Sequence, residues 1–403
     1  MMSTGSTTPF VPLKFIAEIV SGGTPKADSN NWDGDIPFIT PPDLNGLDGD
    51  VVRQWERTLT DTGTSGSSIT KDAVLLSCRA PIGHVGVVTS EMAFNQGCKS
   101  IVPQDAEDLA YVAYCLVASR RALQALGRGT TFMEISTTQL SNFSIPWPVC
   151  MDRRAITRYL DRETSEIDAM LAALDELTRN LKQRSGIVVA NELKSHYLHG
   201  TIPLAFSSGA DNFFDGDWVE SKDQDPDGDI RLLQLADIGD GTFLDKSNRR
   251  INQEAFERLR CREVQEGDIL IARMPHPLGR ACILPTGLGR TITVVDVAVL
   301  RPDPNRVIPK YLVYVLNSIS FRAQLDSLQS GSTRQRISRS RLGQQRIPMP
   351  PVALQRAAVS HLDEVTGRIN AMLAKIDELK ALLVERRAAL ITDVVTGRKK
   401  VPA

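Results

Sequence analysis

Two long stretches of the chain place an apolar residue at every seventh position. The first, residues 151–193, contains no proline and a single glycine, Gly186. The second, residues 353–395, repeats the pattern, and acidic and basic side chains occupy the other faces of both. This spacing is typical of helices that pair in a coiled coil, and each helix of about forty residues would be about 60 Å long. The predicted core of the helix pair is Leu160, Ile167, Met170, Leu174, Leu177, Leu181, Leu362, Ile369, Met372, Ile376, Leu379 and Leu383.

The region before each helix has a different pattern. Short apolar runs such as Ala73–Ser77 and Val85–Val88 alternate with turn sequences such as Gly22-Gly23, and a helical stretch follows at Asp108–Leu126. Short apolar runs between turns predict strands. The region before the second helix has the same order, with strands near Ile230–Leu235 and Asp268–Ile271 and a helix near Pro309–Ser327. Both regions therefore read as mixed α/β heads.

A block of the sequence recurs at a constant offset. Ile145-Pro146-Trp147-Pro148 reappears as Ile347-Pro348-Met349-Pro350, an offset of 347 − 145 = 202 residues. The same offset relates Leu160-Asp161 to Leu362-Asp363. The chain is thus two copies of one unit, and it presents two similar surfaces to a two-fold symmetric partner, of which duplex DNA is the commonest.

The predicted fold class is α+β, with an internal pseudo-two-fold repeat and two similar mixed α/β recognition domains joined by an antiparallel coiled coil. If a two-fold axis relates the copies, the helices run antiparallel with the heads at opposite ends. The alternative is two long helices buried separately in their own domains. The predicted domains are a first head at 1–148, a helix at 149–196, a second head at 197–350 and a helix at 351–398.

The composition excludes some classes of protein but does not indicate an activity. The net charge is −1 and charged residues make up 24% of the chain, so any contact with nucleic acid must come from local patches. The six cysteines lack C-x-x-C spacing, and the polar start of the chain does not resemble a signal peptide. No apolar run approaches the length of a membrane span. We therefore expect a cytoplasmic protein with reduced thiols.

Motifs for catalysis and metal binding are weak. The sequence has no G-x-x-x-x-G-K-[ST] phosphate loop, which argues against ATP hydrolysis by this chain. Thr40-Pro41-Pro42-Asp43 lacks the amide and the aromatic residue that a base-flipping methyltransferase loop requires, so a turn is favoured. The carboxylates of Asp225, Asp227 and Asp229 lack a calcium-binding glutamate and favour a solvated turn. His196 and His199 favour a helix end over a metal site.

Several segments together resemble the specificity subunit of type I restriction–modification enzymes. They are the Ser-Gly-Gly-Thr-Pro of Ser21–Pro25, the Trp-Asp-Gly-Asp-Ile-Pro-Phe-Ile-Thr of Trp32–Thr40 with Asp43-Leu44, Leu75–Gly83, and Asn95-Gln96-Gly97. Each half also closes with Ile-Pro-x-Pro before its long helix. The resemblance covers essentially the whole chain, although the second half lacks the Gly-Thr-Pro and Asn-Gln elements. The usual Glu-Gln before the helix is also replaced, by Asp152-Arg153-Arg154 in the first copy and by Leu354-Gln355-Arg356 in the second.

The resemblance implies a non-catalytic subunit. Each head would read one half of a bipartite site in double-stranded DNA, and the helices would fix the spacer between the halves. Two modification (methyltransferase) subunits would dock on the helices and methylate adenine, and two restriction (motor-nuclease) subunits would join them in complexes that also cut DNA. The chain itself would bind no cofactor or metal, and S-adenosylmethionine, ATP and Mg would belong to partner subunits.

Candidate DNA contacts lie beside glycine-rich turns that follow predicted strands. Arginine can read guanine, asparagine and glutamine can read adenine, and lysine can neutralise phosphate. For each cation a structural charge remains an equal alternative, and for the amides an internally bonded turn is the stronger one. The candidates are Arg79, His84, Asn95, Gln96 and Lys99 in the first head and Arg273, His276, Arg280, Arg334 and Arg336 in the second.

The sequence leaves two alternatives to a specificity subunit. A coiled-coil scaffold that joins two protein partners fits the helices but leaves the two divergent heads without a purpose. A DNA methyltransferase in its own right is disfavoured by the missing cofactor and catalytic motifs.

Overall fold

We describe a computed structural model of the chain, which covers residues 8–127, 134–274, 277–328 and 336–401. The chain divides into two compact units, Met1–Leu174 with Asp377–Ala403, and Asp175–Ile376. Both divisions fall inside long helices, so each unit combines one head with half of each helix. We call residues 8–149 the first head and residues 197–351 the second head.

The first head contains two four-stranded sheets and a short two-stranded ribbon. The strands are β1 (Phe10–Pro12), β2 (Ala17–Ser21), β3 (Trp32–Ile39), β4 (Arg57–Leu59), β5 (Ser68–Thr70), β6 (Ala73–Ser77), β7 (Val85–Val88), β8 (Met92–Phe94), β9 (Cys98–Pro103) and β10 (Ser144–Pro146). The sheet orders are β2-β9-β6-β7, β4-β3-β8-β5 and β1-β10. The pairs within these sheets are antiparallel except β3 with β8. The helices are α1 (Asp61–Thr64), α2 (Leu109–Ala118), α3 (Arg120–Leu126) and α4 (Thr137–Ser141), followed by the long helix α5 (Cys150–His196).

The second head repeats this plan with one strand fewer in its second sheet. The strands are β11 (Thr201–Pro203), β12 (Ser208–Asp215), β13 (Ile230–Leu233), β14 (Arg250–Ile251), β15 (Ile269–Ala272), β16 (Ala281–Ile283), β17 (Thr291–Thr293), β18 (Val297–Pro302) and β19 (Arg346–Pro348). The sheet orders are β12-β18-β15-β16, β14-β13-β17 and β11-β19, and the parallel pair is β13 with β17. The helices are α6 (Gln253–Leu259), α7 (Pro309–Leu316), α8 (Ile319–Ser327) and α9 (Arg339–Gly343), followed by the long helix α10 (Val352–Val395).

The shared fold of the heads follows from shared local sequence. The apolar runs of β6 and β15 are buried at every position, as expected for strands covered on both faces. The repeated Gly-Asp-Ile places Gly34 and Gly228 against a neighbouring strand. A Cβ there would lie 2.5 Å from the carbonyl oxygen of Leu59 and 2.2 Å from that of Ile251, so only glycine allows this approach. The prediction of two similar α/β heads is confirmed.

The two long helices pack against each other in opposite directions. In the first unit, Leu160 and Ile167 of α5 share a core with Leu383 and Leu390 of α10. Asp168 bonds Arg387 at 3.1 Å, whereas the earlier Tyr159 meets the later Lys399, with 5.4 Å between the ammonium and the ring centre. In the second unit, Glu192 and His361 are 2.9 Å apart. The predicted antiparallel pairing of the helices is confirmed.

The buried face of each long helix is narrower than the heptad pattern predicted. Leu160, Ile167, Leu362, Ile369, Ile376 and Leu383 are buried, and Leu174 and Leu181 are partly buried. Four predicted core side chains are instead about half exposed: Met170 (49%), Leu177 (45%), Met372 (53%) and Leu379 (46%). The prediction that these four side chains lie in the core of the helix pair is wrong. An α-helix has 3.6 residues per turn, so the second heptad position drifts to the edge of the buried stripe unless the helices supercoil tightly.

A repeated hydrogen-bond network fastens each helix to its own head. The Tyr114 hydroxyl donates to Asp161 Oδ1 at 2.7 Å, and the Tyr314 hydroxyl donates to Asp363 Oδ1 at 2.7 Å. Thr164 and Thr366 complete the networks at 3.3 and 3.0 Å. The repeated Leu-Asp pair of the sequence therefore supplies one buried leucine and one anchoring carboxylate in each copy.

Candidate nucleic-acid interface

Two glycine-rich segments of the first head meet at the ends of β2 and β9. Gly23 donates its backbone N–H to the carbonyl of Phe94 at 3.1 Å, and the Thr24 hydroxyl donates to the Gln96 side chain. A Cβ on Gly22 would lie 2.0 Å from the backbone oxygen of Asn95, so the close approach requires glycine. The structure thus brings together the Gly-Gly-Thr-Pro and Asn-Gln-Gly segments, which are far apart in sequence.

The predicted contact residues at this junction are largely engaged within the head. The Arg79 guanidinium, 42% exposed, bonds Glu134 at 2.9 Å. Lys99 is only 4% exposed and donates to Ser21 Oγ at 3.3 Å. Asn95 accepts from the Gly97 N–H at 2.9 Å, as in an internally bonded turn, and Gln96 is exposed.

His84 lies in the turn after β6, and its ring is partly buried. Its backbone N–H donates to Ser77 Oγ at 2.8 Å, while Nδ1 finds no hydrogen-bond partner within the described ranges. Burial lowers the pKa of His84 below its ordinary value, and the neighbouring Arg120 lowers it further. The imidazole is therefore neutral near pH 7, which removes an attraction to phosphate.

Arg273 of the second head is a buried residue. Its backbone accepts a bond from the Ile337 N–H at 3.1 Å, just as Cys78 accepts one from Ile135 in the first head. Arg273 therefore occupies the position of buried Cys78 and is only 4% exposed. Its guanidinium bonds the carbonyl of Val295 and lies 3.3 Å from Asp215. Burial lowers the pKa of Arg273, although an arginine stays charged at neutral pH.

The other candidates of the second head are also tied to backbone or carboxylate groups, as far as they are described. Arg280 donates to the carbonyls of Ile238 at 2.7 Å and Leu235 at 2.9 Å. Arg336 lies 3.0 Å from Asp296 and is 40% exposed. His276 and Arg334 lie outside the described residues. Whether any of the ten candidates contacts DNA stays a prediction, and burial makes Lys99 and Arg273 the weakest of them.

One repeated feature was visible in the sequence but was not assigned a role. Asp43 and Asp237, from the matching Asp-Leu and Asp-Ile pairs, each close a short 3₁₀ helix. Asp43 accepts from the backbone N–H groups of Thr40 at 2.8 Å and Glu56 at 3.1 Å. Asp237 accepts from those of Gln234, Lys246 and Ser247 at 2.7, 2.8 and 2.7 Å. Each carboxylate thereby fixes the end of a surface loop.

Among the described residues, we find no cluster of reactive side chains arranged as a catalytic or metal site. Burial raises the pKa of Cys78, Cys115 and Cys282 to about 12, so these thiols are poor nucleophiles. Over the same residues, no cluster of histidine, cysteine or carboxylate side chains has the arrangement of a metal site. None of the described helices combines the length and apolar character that a membrane crossing needs.

Comparison with protein families agrees with the duplicated architecture. The model of the type I restriction modification DNA specificity domain matches residues 7–179 and again 214–381. The chain belongs to this family. The two matches correspond to the two copies of head and helix, and together they cover most of the sequence.

Relatives of this specificity-domain chain include three type I specificity subunits. The MjaIX subunit of Methanocaldococcus jannaschii is 30% identical over 182 residues, 44% of this chain and 40% of that protein. The HindI subunit of Haemophilus influenzae is 26% identical over 143 residues, 34% of this chain and 31% of that protein. The third, the putative MjaX subunit of M. jannaschii, is 21% identical over 180 residues, 44% of this chain and 41% of that protein. The matched stretches thus span less than half the length of these relatives.

Solved structures extend the similarity of this specificity-domain chain to its whole length at the level of fold. A chain from a study of complex assembly and conformational transition of the type I R-M system has a TM-score of 0.71 at 16% identity and covers 99% of this chain and 100% of its own. The HsdS subunit of Thermoanaerobacter tengcongensis has a TM-score of 0.50 at 16% identity and covers 99% of both chains.

Proposed function

We propose that this protein is the non-catalytic sequence-specificity subunit of a type I restriction–modification complex. The observation that carries the proposal is the duplication of head and helix, with a specificity-domain match on each copy. Each head reads one half of a bipartite site in double-stranded DNA. Because the heads differ in sequence, the two half-sites differ.

The long helices supply the fixed geometry between the half-sites. An α-helix is stiff, and each is fastened to its head by the Tyr–Asp–Thr network. Exposed apolar residues of the helices, among them Met170, Leu177, Met372 and Leu379, are the surfaces on which we place two docked modification subunits. Two restriction subunits complete the form of the complex that cuts DNA.

Cofactor chemistry belongs to the partners in this proposal. This chain binds neither S-adenosylmethionine nor ATP nor Mg, and it contributes position and sequence choice. The sequence has no phosphate loop, which supports assigning the ATP chemistry to the partners.

A mobility-shift titration with mixed genomic fragments, with and without the modification subunits, tests the proposal. We expect selective retention of a subset of fragments, strongest with the modification subunits present, and a bipartite adenine-methylated motif in cells that produce both. Retention of every fragment alike, or of none, would contradict a specificity role. Methylation by this chain alone would identify a methyltransferase instead.

A further inference from the structure

Each head contains one loop in the same place, between its 3₁₀ helix and the next edge strand. In the first head the loop spans residues 45–56, from Leu44 to β4, and in the second it spans residues 238–249, from Asp237 to β14. Counted from the matching Asp43 and Asp237 to the edge strand, the loops have similar lengths of 13 and 12 residues (44–56 and 238–249), although their sequences are unrelated. Loops of similar length and placement can present different side chains from a comparable backbone.

Hydrogen bonds fix the backbone of each loop in its returning half. The Asp43 carboxylate accepts from the backbone N–H of Glu56, and the Asp237 carboxylate accepts from those of Lys246 and Ser247. In the first head, Val52 also donates to the carbonyl of Val87 at 2.9 Å. In the second, Leu232 donates to the carbonyl of Arg249 at 2.9 Å. The backbone of each returning half is therefore fixed before any ligand arrives, which lowers the entropy lost on binding.

We call residues 53–56 and 246–249 the return limbs. Arg53 and Gln54 are exposed on the first limb, and Lys246 and Asn248 are exposed on the second. None of these four side chains has a hydrogen-bond or ion-pair partner within the described ranges. By contrast, Arg79, Lys99, Arg273, Arg280 and Arg336 all bond groups of their own head.

Each return limb therefore combines one free cation with one free carboxamide. Arginine and lysine donate to the guanine O6 and N7 acceptors, and asparagine or glutamine pairs with the N6 and N7 edge of adenine. We propose that the return limbs carry base-reading side chains, with Arg53 and Gln54 specifying one half-site and Lys246 and Asn248 specifying the other. This inference rests on the proposed function, because it assigns the residues through which each head reads DNA.

One feature of the first limb offers a competing role. Arg53, Gln54 and Trp55 also line an open cleft of about 1010 Å³ whose opposite wall carries Asp161 and Asp168 of α5. A segment of a docked protein subunit would fill such a cleft and meet the same side chains. Partner binding must therefore be measured beside sequence choice.

The test compares two double variants, R53A with Q54A and K246A with N248A, in the full chain produced with its modification subunits. K71A and R306A are the matched controls, since both are exposed cations of the heads outside the limbs. The methylated motif is read by sequencing the genome of host cells that lack other adenine methyltransferases. Co-purification of the modification subunits and a melting curve are recorded for every variant.

We expect each double variant to relax one half-site only, with about a ten- to hundredfold loss of discrimination between the correct and incorrect base at one or two positions. The other half-site, the spacer and both controls should match the unaltered protein. An unchanged motif in both double variants would overturn the inference. So would loss of the modification subunits on co-purification, which would make the limb a docking surface. If the unaltered chain directs no bipartite motif, the proposed function itself fails.

Single conservative variants keep the inference testable if a double variant melts early. Gln54→Glu and Asn248→Asp retain size and replace the amide donor with a carboxylate, which can accept from cytosine but cannot donate to adenine N7. We expect adenine to be lost from the corresponding position of one half-site. Retention of the original base at normal methylation levels would contradict a reading role.

Discussion

The fourth residue of each long helix is buried, and its polar side chain has different bonding partners in the two copies. Arg153 forms two bonds of 2.7 Å with Asp108, donates to the carbonyl of Pro148 and stacks on Trp147. Its equivalent, Gln355, is fully buried, accepts from the Ile308 N–H and donates to the carbonyl of Pro350. In the second copy Ile308 occupies the position of Asp108. The first copy therefore buries a pair of opposite charges, and the second copy has an uncharged residue at both positions.

We predict that Asp108→Ala destabilises the chain by about 3–5 kcal/mol, because it leaves the Arg153 charge buried without its partner. The double variant R153Q with D108I copies the second head and should recover much of that loss. Thermal melting of the full chain measures both. Equal destabilisation by the single and double variants would show that the ion pair is not what the site requires.

A second residue-scale prediction concerns Asp217, which accepts from the Arg262 N–H at 3.1 Å. Burial raises the pKa of this carboxyl to about 6, above its ordinary 3.8. A pKa raised on folding means that the folded state favours the protonated form. Stability from this group is therefore present below about pH 4 and is lost as the pH rises through about 6.

Asp217→Asn keeps an acceptor oxygen and removes the titration. We expect it to raise stability at pH 7.5 by on the order of 1 kcal/mol, a value reduced by the partial exposure of the group, and to change little at pH 4. Melting temperatures of both proteins across pH 4–8 provide the measurement. Parallel curves for variant and parent would be evidence against the raised pKa.

At the scale of elements, the two heptad positions of α5 are not equivalent. Ile167 is 3% exposed, whereas Met170, one helical turn later, is 49% exposed. We predict that Ile167→Asp destabilises the chain by several kcal/mol, because it buries an unpaired carboxylate. Met170→Asp is the matched control and should melt like the parent.

The same pair of variants separates folding from assembly. If modification subunits dock on the exposed apolar residues of the helices, Met170→Asp should weaken their co-purification while leaving the fold intact. Normal folding of Ile167→Asp would argue against the helix packing described above, and full subunit binding by Met170→Asp would move the docking surface elsewhere.

The sequence predicted the elements better than their contacts. Heptad spacing is a local property, so it located both long helices, and short apolar runs located β6 and β15. It could not decide that Met170 and Leu177 are half exposed, because that depends on how tightly two helices wind around each other. It likewise could not show that Arg273, a candidate DNA contact, is buried at the position that Cys78 occupies in the first head.

At the scale of the whole molecule, the proposed function makes helix length a determinant of DNA spacing. Four residues inserted after Leu181, with four after Leu383, lengthen each helix by about 6 Å. At about 3.4 Å per base pair, the preferred spacer should grow by one or two base pairs while the half-sites stay the same. Methylome sequencing of cells that carry the variant with its modification subunits is the measurement.

The insertion also shifts the heptad, so its melting curve serves as the control for folding. Insertion of seven residues in each helix preserves the heptad and should lengthen the spacer further, by about 10 Å or three base pairs. An active enzyme with an unchanged spacer would mean that the helices do not set the distance between half-sites.

The sequence by itself determined the duplication, the two long helices, the α/β character of the heads and the family, because each is recorded in local periodicity or in repeated segments. Only the tertiary structure decided which charged side chains remain available for a ligand. Arg273 is buried against Ile337, 64 residues away, and Lys99 against Ser21, 78 residues away, while Arg53 and Lys246 are left exposed. Ion pairs and burial join residues distant in sequence, and one-dimensional patterns do not record such contacts.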